Sequence, residues 1–295
     1  MRDWRPFSSE PGTARWLVPE VVQTSAMDCG PAALKALLEG YGLSASYGRL
    51  REACQTDVDG TSIDTLEQIA GQLGLDAVQV MMPADHLLLP EAASLPAIAV
   101  VLLPGGGTHF LVIWRLHGRW IQVMDPSQGR RWMTRRQLVG ELFLHRQPVA
   151  AADWRAWAES EGFLAPLGAR LARLGLNGPQ VEAELDAAKA APGWRPLATL
   201  DAATRLVDAL IQADGLEAGP EAQALLARFC DPANAALIPD NYWSVELAEE
   251  DPTLASSDPG GEEGEDDGPT LWLKGAVLIQ VFGLIAADEA AEVPP

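Results

Sequence analysis

Between residues 29 and 142 the apolar positions change period. Ala32, Leu34, Leu37 and Leu38 recur at helical spacing behind Cys29-Gly30-Pro31, and the runs at 47–54 and 62–73 keep that spacing. Proline fits the first turn of a helix, where its missing N–H would be unpaired anyway, so the first helix is predicted to start at or just after Cys29. Thr61 and Asp64, three residues apart, resemble a capping pair ahead of the third helix. From residue 75 the pattern becomes strand-like: LDAVQVM at 75–81, PAIAVVLL at 96–103, HFLVIWRL at 109–116 and RWIQVMD at 119–125. The last two, joined by His117-Gly118, are expected to form a β-hairpin. A short strand near 130–133 and a helix over 134–142 follow. Helices first and an antiparallel sheet second predict an α+β fold for this part of the chain.

Beyond residue 150 the pattern changes to Ala- and Leu-rich helices, predicted at 153–160, 163–174, 178–190, 199–213 and 220–229. None of them carries a motif with recognisable chemistry. An acidic Gly/Ser/Pro tract at 248–269 reads as a solvated loop or linker, and LWLKGAVLIQVFGL at 271–284 is strand-like again. The expected organisation is an α+β domain over 1–150, a helical domain over 151–247, and an acidic linker with a short strand-like tail over 248–295.

Composition narrows the classes of function. Hydrophobic content of 48% in 295 residues is ample for a core. The net charge of −20 is uneven: residues 1–150 hold 13 Lys+Arg against 15 Asp+Glu, or −2, and the remaining 8 against 26 give −18. An acidic chain does not track a phosphate backbone, so nucleic acid is not an expected partner. The near-neutral front half accepts a peptide of either sign. Cys29, Cys54 and Cys230 form neither a C-x-x-C pair nor a disulfide framework, which fits a reducing, cytoplasmic compartment. No run reaches the ~18 apolar residues of a membrane span, and the N-terminus shows no secretory h-region.

Cys29 sits between Asp28 and Gly30-Pro31 at a predicted helix N-terminus, where unpaired amides and the dipole favour a thiolate. On this stretch alone a nucleophile and a buried structural cysteine remain open readings. A nucleophile needs a base. His86 lies in a predicted surface turn or short helix, His117 in the hairpin turn, and His145 at the domain edge. His109 instead opens an apolar strand after a glycine loop, and Asp125 ends the next strand. The hairpin brings the outer ends of its two strands together, so His109 and Asp125 are predicted neighbours. Cys, His and Asp in that order suit a thiol-protease triad. Gln23, six residues before Cys29, could offer its amide to an oxyanion beside the Cys29 N–H, although an exposed strand-end residue is the plainer reading.

VPEVVQTSAMDCGPAAL, GGGTHFLVIW and VMDPSQGRRWM together resemble the papain-like bacteriocin-processing peptidase domain at the cytosolic N-terminus of peptidase-containing ABC exporters. The resemblance covers about residues 17–148. It implies a papain-like α+β fold, Cys29 as nucleophile, His109 as general base and then acid, Asp125 as the orienting group, and Gln23 as the oxyanion donor. It also implies cleavage of helical leader peptides after Gly-Gly or Gly-Ala. No His/Cys/Asp cluster has metal-ligand spacing, so neither a metal nor a cofactor is expected. The membrane and ATP-binding domains of an exporter are partners the resemblance suggests, and a self-standing cytosolic peptidase is equally compatible. Two other classes stay open: a non-catalytic module that docks leader peptides for a transporter, and a different Cys-His-Asp acyl transferase.

Overall fold

The change of period resolves into helices packed on a sheet that is buried on both faces. The computed structural model describes residues 14–56, 60–248 and 268–285. They fall into two units, one drawing on 14–88, 93–144 and the strand from 276, the other on 89–92 and 145–275.

In the first unit, α1 (Cys29–Gly40), α2 (Tyr47–Ala53) and α3 (Ile63–Gln72) precede β1 (Leu75–Met82), β2 (Ala97–Leu102), β3 (Thr108–His117), β4 (Trp120–Asp125), β5 (Gly129–Thr134) and α4 (Arg135–Glu141). Successive side chains of a strand point to opposite faces. Val112 and Met124 therefore pack with Leu34, Leu37 and Leu38 of α1, whereas Leu111, Ile113 and Val123 pack with Leu138 of α4. Covering both faces is why β2 and β3 read as continuous apolar runs. Pairing of His117 with Trp120 makes the β3–β4 turn Gly118-Arg119, one residue later than expected.

Helix α1 meets the sheet closely at its C-terminal end. Ala32, Ala33 and Ala36 are fully buried, and a Cβ added at Gly40 would lie 2.2 Å from the Trp114 ring of β3. The α3 cap differs from expectation. Ser62, not Thr61, is the N-cap and accepts from the Thr65 N–H, while the Thr61 hydroxyl bonds that of Thr56 at 2.7 Å. His86 also differs: it opens a short 3₁₀ turn but is buried.

The larger surprise is the segment expected as a tail. The last strand among the described residues, β8, spans Thr270–Leu284 and follows β6 (Leu144–Ala150) and β7 (Val245–Leu247) in the chain. Its residues 276–284 lie inside the first unit's sheet, in the order β1-β8-β2-β3-β4-β5. Met82 to Leu75 pair with Ala276 to Leu284, and Ala97, Ile98 and Ala99 pair with Gln280, Ile279 and Leu278. An apolar run without polar alternation needs both faces covered, and this slot covers them. The α+β unit is thus discontinuous in sequence.

The second unit holds α5 (Ala151–Ala158), α6 (Glu161–Arg173), α7 (Gly178–Ala190), α8 (Arg195–Gln212) and α9 (Pro220–Cys230), close to the predicted spans. Trp154, Phe163, Leu167, Leu171, Leu197 and Val207 form its core. Val245–Leu247 pairs with Leu271–Leu273. Most of the acidic tract, 249–267, lies outside the described residues. Among the described residues no helix is long and apolar enough to cross a membrane.

Leu278, Ile279 and Val281 of β8 are almost wholly buried, and each contributes roughly 1.5–3 kcal/mol of burial. A chain ended after residue 150 is therefore expected to lose cooperative unfolding of the first unit, read by near-UV circular dichroism on heating. A cooperative transition with the full-length midpoint would show that the strand adds nothing.

Candidate active site

Cys29 is the first residue of α1. A side chain at Gly30 beside it would be crowded, because a Cβ there would lie 3.2 Å from the Thr61 Cβ and 3.3 Å from both Leu66 methyls. The Cys29 sulfur accepts hydrogen bonds from the backbone N–H groups of Phe110 and Gly30 and is hydrogen-bonded to the His109 ring.

His109 is the second residue of β3 and is buried. Its Nε2 lies 2.9 Å from Oδ1 of Asp125, the buried last residue of β4. That contact leaves Nδ1 as the ring nitrogen for the sulfur. Asp125 is itself tightly held. The Ser127 N–H and hydroxyl donate to Oδ1 at 2.8 and 2.7 Å, the Gln128 amide donates to Oδ2 at 3.2 Å, and an Arg131 Nη lies 3.4 Å from Oδ2. Cys29, His109 and Asp125, from a helix start, a strand start and a strand end, thus form one hydrogen-bonded line.

The line shifts the proton affinity of each member. Burial by itself raises the Cys29 pKa, but the hydrogen bonds from His109, Phe110 and Gly30 and the nearby imidazolium charge outweigh it, and the net shift is downward. Burial likewise works against a charged His109, yet its bonds to Asp125 and Cys29 raise it to about 9. Burial would raise Asp125, but the bonds from His109 and Ser127 bring it down to about 2. At neutral pH this favours an imidazolium and a carboxylate, and it shifts Cys29 toward its thiolate.

Gln23 directly precedes the 24–28 turn that leads into α1. Its backbone N–H donates to the carbonyl of Pro126 at 2.8 Å, which ties it to the loop that follows Asp125. Its side-chain Oε1 is buried and has no hydrogen-bond partner among the described residues. The other histidines lie away from this line: His117 sits between the rings of Trp16 and Trp132, at 4.8 and 5.0 Å, and His145 is on β6. Ser127, Gln128 and Arg131 were not anticipated, although a Ser two residues after an Asp is a turn signal in which the carboxylate accepts its N–H. Among the described residues no group of three His, Cys, Asp or Glu could hold a metal ion.

The three cysteines should separate by reactivity. Burial raises Cys54 to about 11, and burial with the nearby Glu184 charge raises Cys230 to about 12, while Cys29 is lowered. Because the thiolate is the reactive species, iodoacetamide at pH 7 is expected to add one equivalent, on Cys29, as mapped by peptide mass spectrometry. Equal labelling of Cys54 would contradict this electrostatic account.

Residues 18–141 match the Peptidase C39 family. The lactococcin-G-processing and transport ATP-binding protein LagD of Lactococcus lactis is 31% identical over 110 residues, 37% of this chain and 16% of that protein. The pediocin PA-1 transport/processing ATP-binding protein PedD of Pediococcus acidilactici is 30% identical over 115 residues, 39% of this chain and 16% of its own length. The match thus spans about one sixth of these exporter relatives. An uncharacterized protein of Methanothermobacter marburgensis is 32% identical over 123 residues, 42% of this chain and 81% of that protein. Among solved structures, the peptidase domain of Streptococcus ComA, a bi-functional ABC transporter of a quorum-sensing pathway, aligns with 24% identity and a TM-score of 0.39, covering 42% of this chain and 92% of that one. Through residues 18–141, this chain belongs to the Peptidase C39 family.

Proposed function

We propose that this chain is a cysteine endopeptidase that removes double-glycine-type leaders from precursor peptides. The hydrogen-bonded line from Cys29 through His109 to Asp125, starting at a helix N-terminus, carries the reading. In this reading the Cys29 thiolate attacks the carbonyl carbon of the scissile bond. The Cys29 N–H and the Gln23 side-chain amide take the charge that builds on the carbonyl oxygen. His109 passes its proton to the departing amine, leaving a thioester, and then draws a proton from the water that hydrolyses it. Asp125 keeps the ring oriented and its cation stable through both steps.

The names of LagD and PedD, which join processing to transport, support a precursor peptide as substrate. They also support the membrane and ATP-binding domains of an exporter as partners, at the cytosolic face of the membrane. A scissile pair of small residues offers little apolar area, so affinity has to come from a helical leader laid in a groove.

Cys29→Ala should lower cleavage of a Gly-Gly leader precursor by several orders of magnitude while leaving leader affinity unchanged, as expected for one member of a unit-acting triad. Cleavage measured by mass spectrometry at a tenth of the wild-type rate would remove Cys29 from this role. Wild-type protein that binds the leader and never cuts it would favour a docking module instead.

The pH profile tests the ionisation. Activity requires His109 protonated and Cys29 ionised, so kcat/KM should fall as pH rises through about 9, the His109 value, and again as pH drops below the lowered Cys29 pKa. Asp125→Asn removes the charge that holds His109 up. Its alkaline limb should move to lower pH, with kcat reduced about tenfold or more. An alkaline limb left in place would separate Asp125 from the titration of His109.

A further inference from the structure

Asp28 is completely buried, directly precedes Cys29 and occupies the N-cap position of α1, yet its carboxylate makes no capping bond. An Asp in that position ordinarily accepts from amides two or three residues on. Here the side chain turns the other way. Its Oδ2 accepts from the Thr24 hydroxyl at 2.8 Å and the Tyr47 hydroxyl at 3.4 Å, and its Oδ1 lies 2.8 Å from Nε of Arg51. Tyr47 and Arg51 stand four residues apart on α2, so one face of that helix reaches Asp28 twice. The Tyr47 hydroxyl also accepts the Thr24 backbone N–H at 3.3 Å.

Thr24 follows Gln23, and Asp28 precedes Cys29. The network thus closes the 24–28 turn at both ends and pins it to α2. Because Asp28 is spent on the turn, the amides at the start of α1 are not spent on Asp28. Arg51 offsets a buried negative charge that would otherwise stand bare beside a thiolate.

The geometry points to Thr24, Asp28 and Tyr47 as positioning residues that fix the spacing between the Gln23 amide and the Cys29 N–H, and so build the oxyanion site independently of the thiolate. The inference rests on the proposed function only in taking those two groups as the oxyanion donors. It predicts a split between two reactions of the same sulfur. Alkylation by iodoacetamide is a displacement at carbon with iodide leaving, and it develops no oxyanion. Acylation by p-nitrophenyl acetate adds the thiolate to a carbonyl, places charge on its oxygen, and expels p-nitrophenolate.

The test compares both rates in the full chain, with Cys29→Ala as the blank. The double variant Thr24→Val/Tyr47→Phe is expected to acylate about tenfold or more slowly, in keeping with a misplaced oxyanion donor, while alkylation stays within about twofold. The single variant Thr24→Val, near-isosteric at an exposed residue, guards against loss of folding and should slow acylation about threefold or more by the same effect. Unchanged acylation in both variants, or alkylation that falls in step with acylation, would overturn the assignment. Wild-type protein that acylates readily but leaves a double-glycine leader uncut would instead count against the proposed substrate and leave the positioning network standing.

Discussion

The site depends on how closely α1 lies against β3. Gly40 meets the Trp114 ring where any side chain would collide, and Ala32, Ala33 and Ala36 of the same helix are fully buried. Gly30 makes the same allowance at the other end of the helix, against Thr61 and Leu66. Thickening such a contact by one carbon costs about 1–3 kcal/mol of stability. A lateral shift of the Cys29 end by about 1 Å costs far more in rate, on the order of a hundredfold. The small residues of α1 therefore matter more for registration of the sulfur with the imidazole than for the stability of the core.

Burial opposes every charge in the Cys29–His109–Asp125 line taken alone, and each shift is the outcome of partners outweighing it. The contributions to stability follow from the directions. His109, raised from 6.5 to about 9, stabilises the fold fully below 6.5 and loses that contribution as pH rises through about 9. Asp125, lowered from 3.8 to about 2, stabilises the fold above 3.8 and loses its contribution as pH falls through about 2. Between those limits the ion pair supports both the fold and the proposed chemistry. Ser127, Gln128 and Arg131 extend the satisfaction of Asp125 to the next strand, so the carboxylate stays ionised without His109 bearing the whole load.

The fold and site were legible where neighbours in space are also neighbours in sequence. The helical period behind Cys29, the two apolar runs within 109–125 and the short turn between them were enough to bring His109 to Asp125, because a short turn fixes which strand ends meet. The five helices of the second unit were readable from local apolar spacing for the same reason. The cap of α3 lies one residue later than expected: Thr61 and Ser62 are both competent caps, and the Thr61 hydroxyl is bonded to that of Thr56 instead. The placement of 276–284 could not be read at all. An apolar strand carries no label for its partners, and those partners lie at 75–82 and 97–99. The bonds of Asp28 to Tyr47 and Arg51 were hidden likewise, because they depend on where α2 comes to rest.

That interior strand has a consequence for synthesis. A ribosome delivers Cys29, His109 and Asp125 early, but the sheet beneath them is completed only when residues 276–284 emerge, about 150 residues after β5. At ordinary translation rates of about 5–20 residues per second the interval lasts roughly ten to thirty seconds. During it, β1 and β2 present open edges to each other and to the surroundings. Throughout that interval the nucleophile rides on a sheet whose interior slot between β1 and β2 is still unfilled.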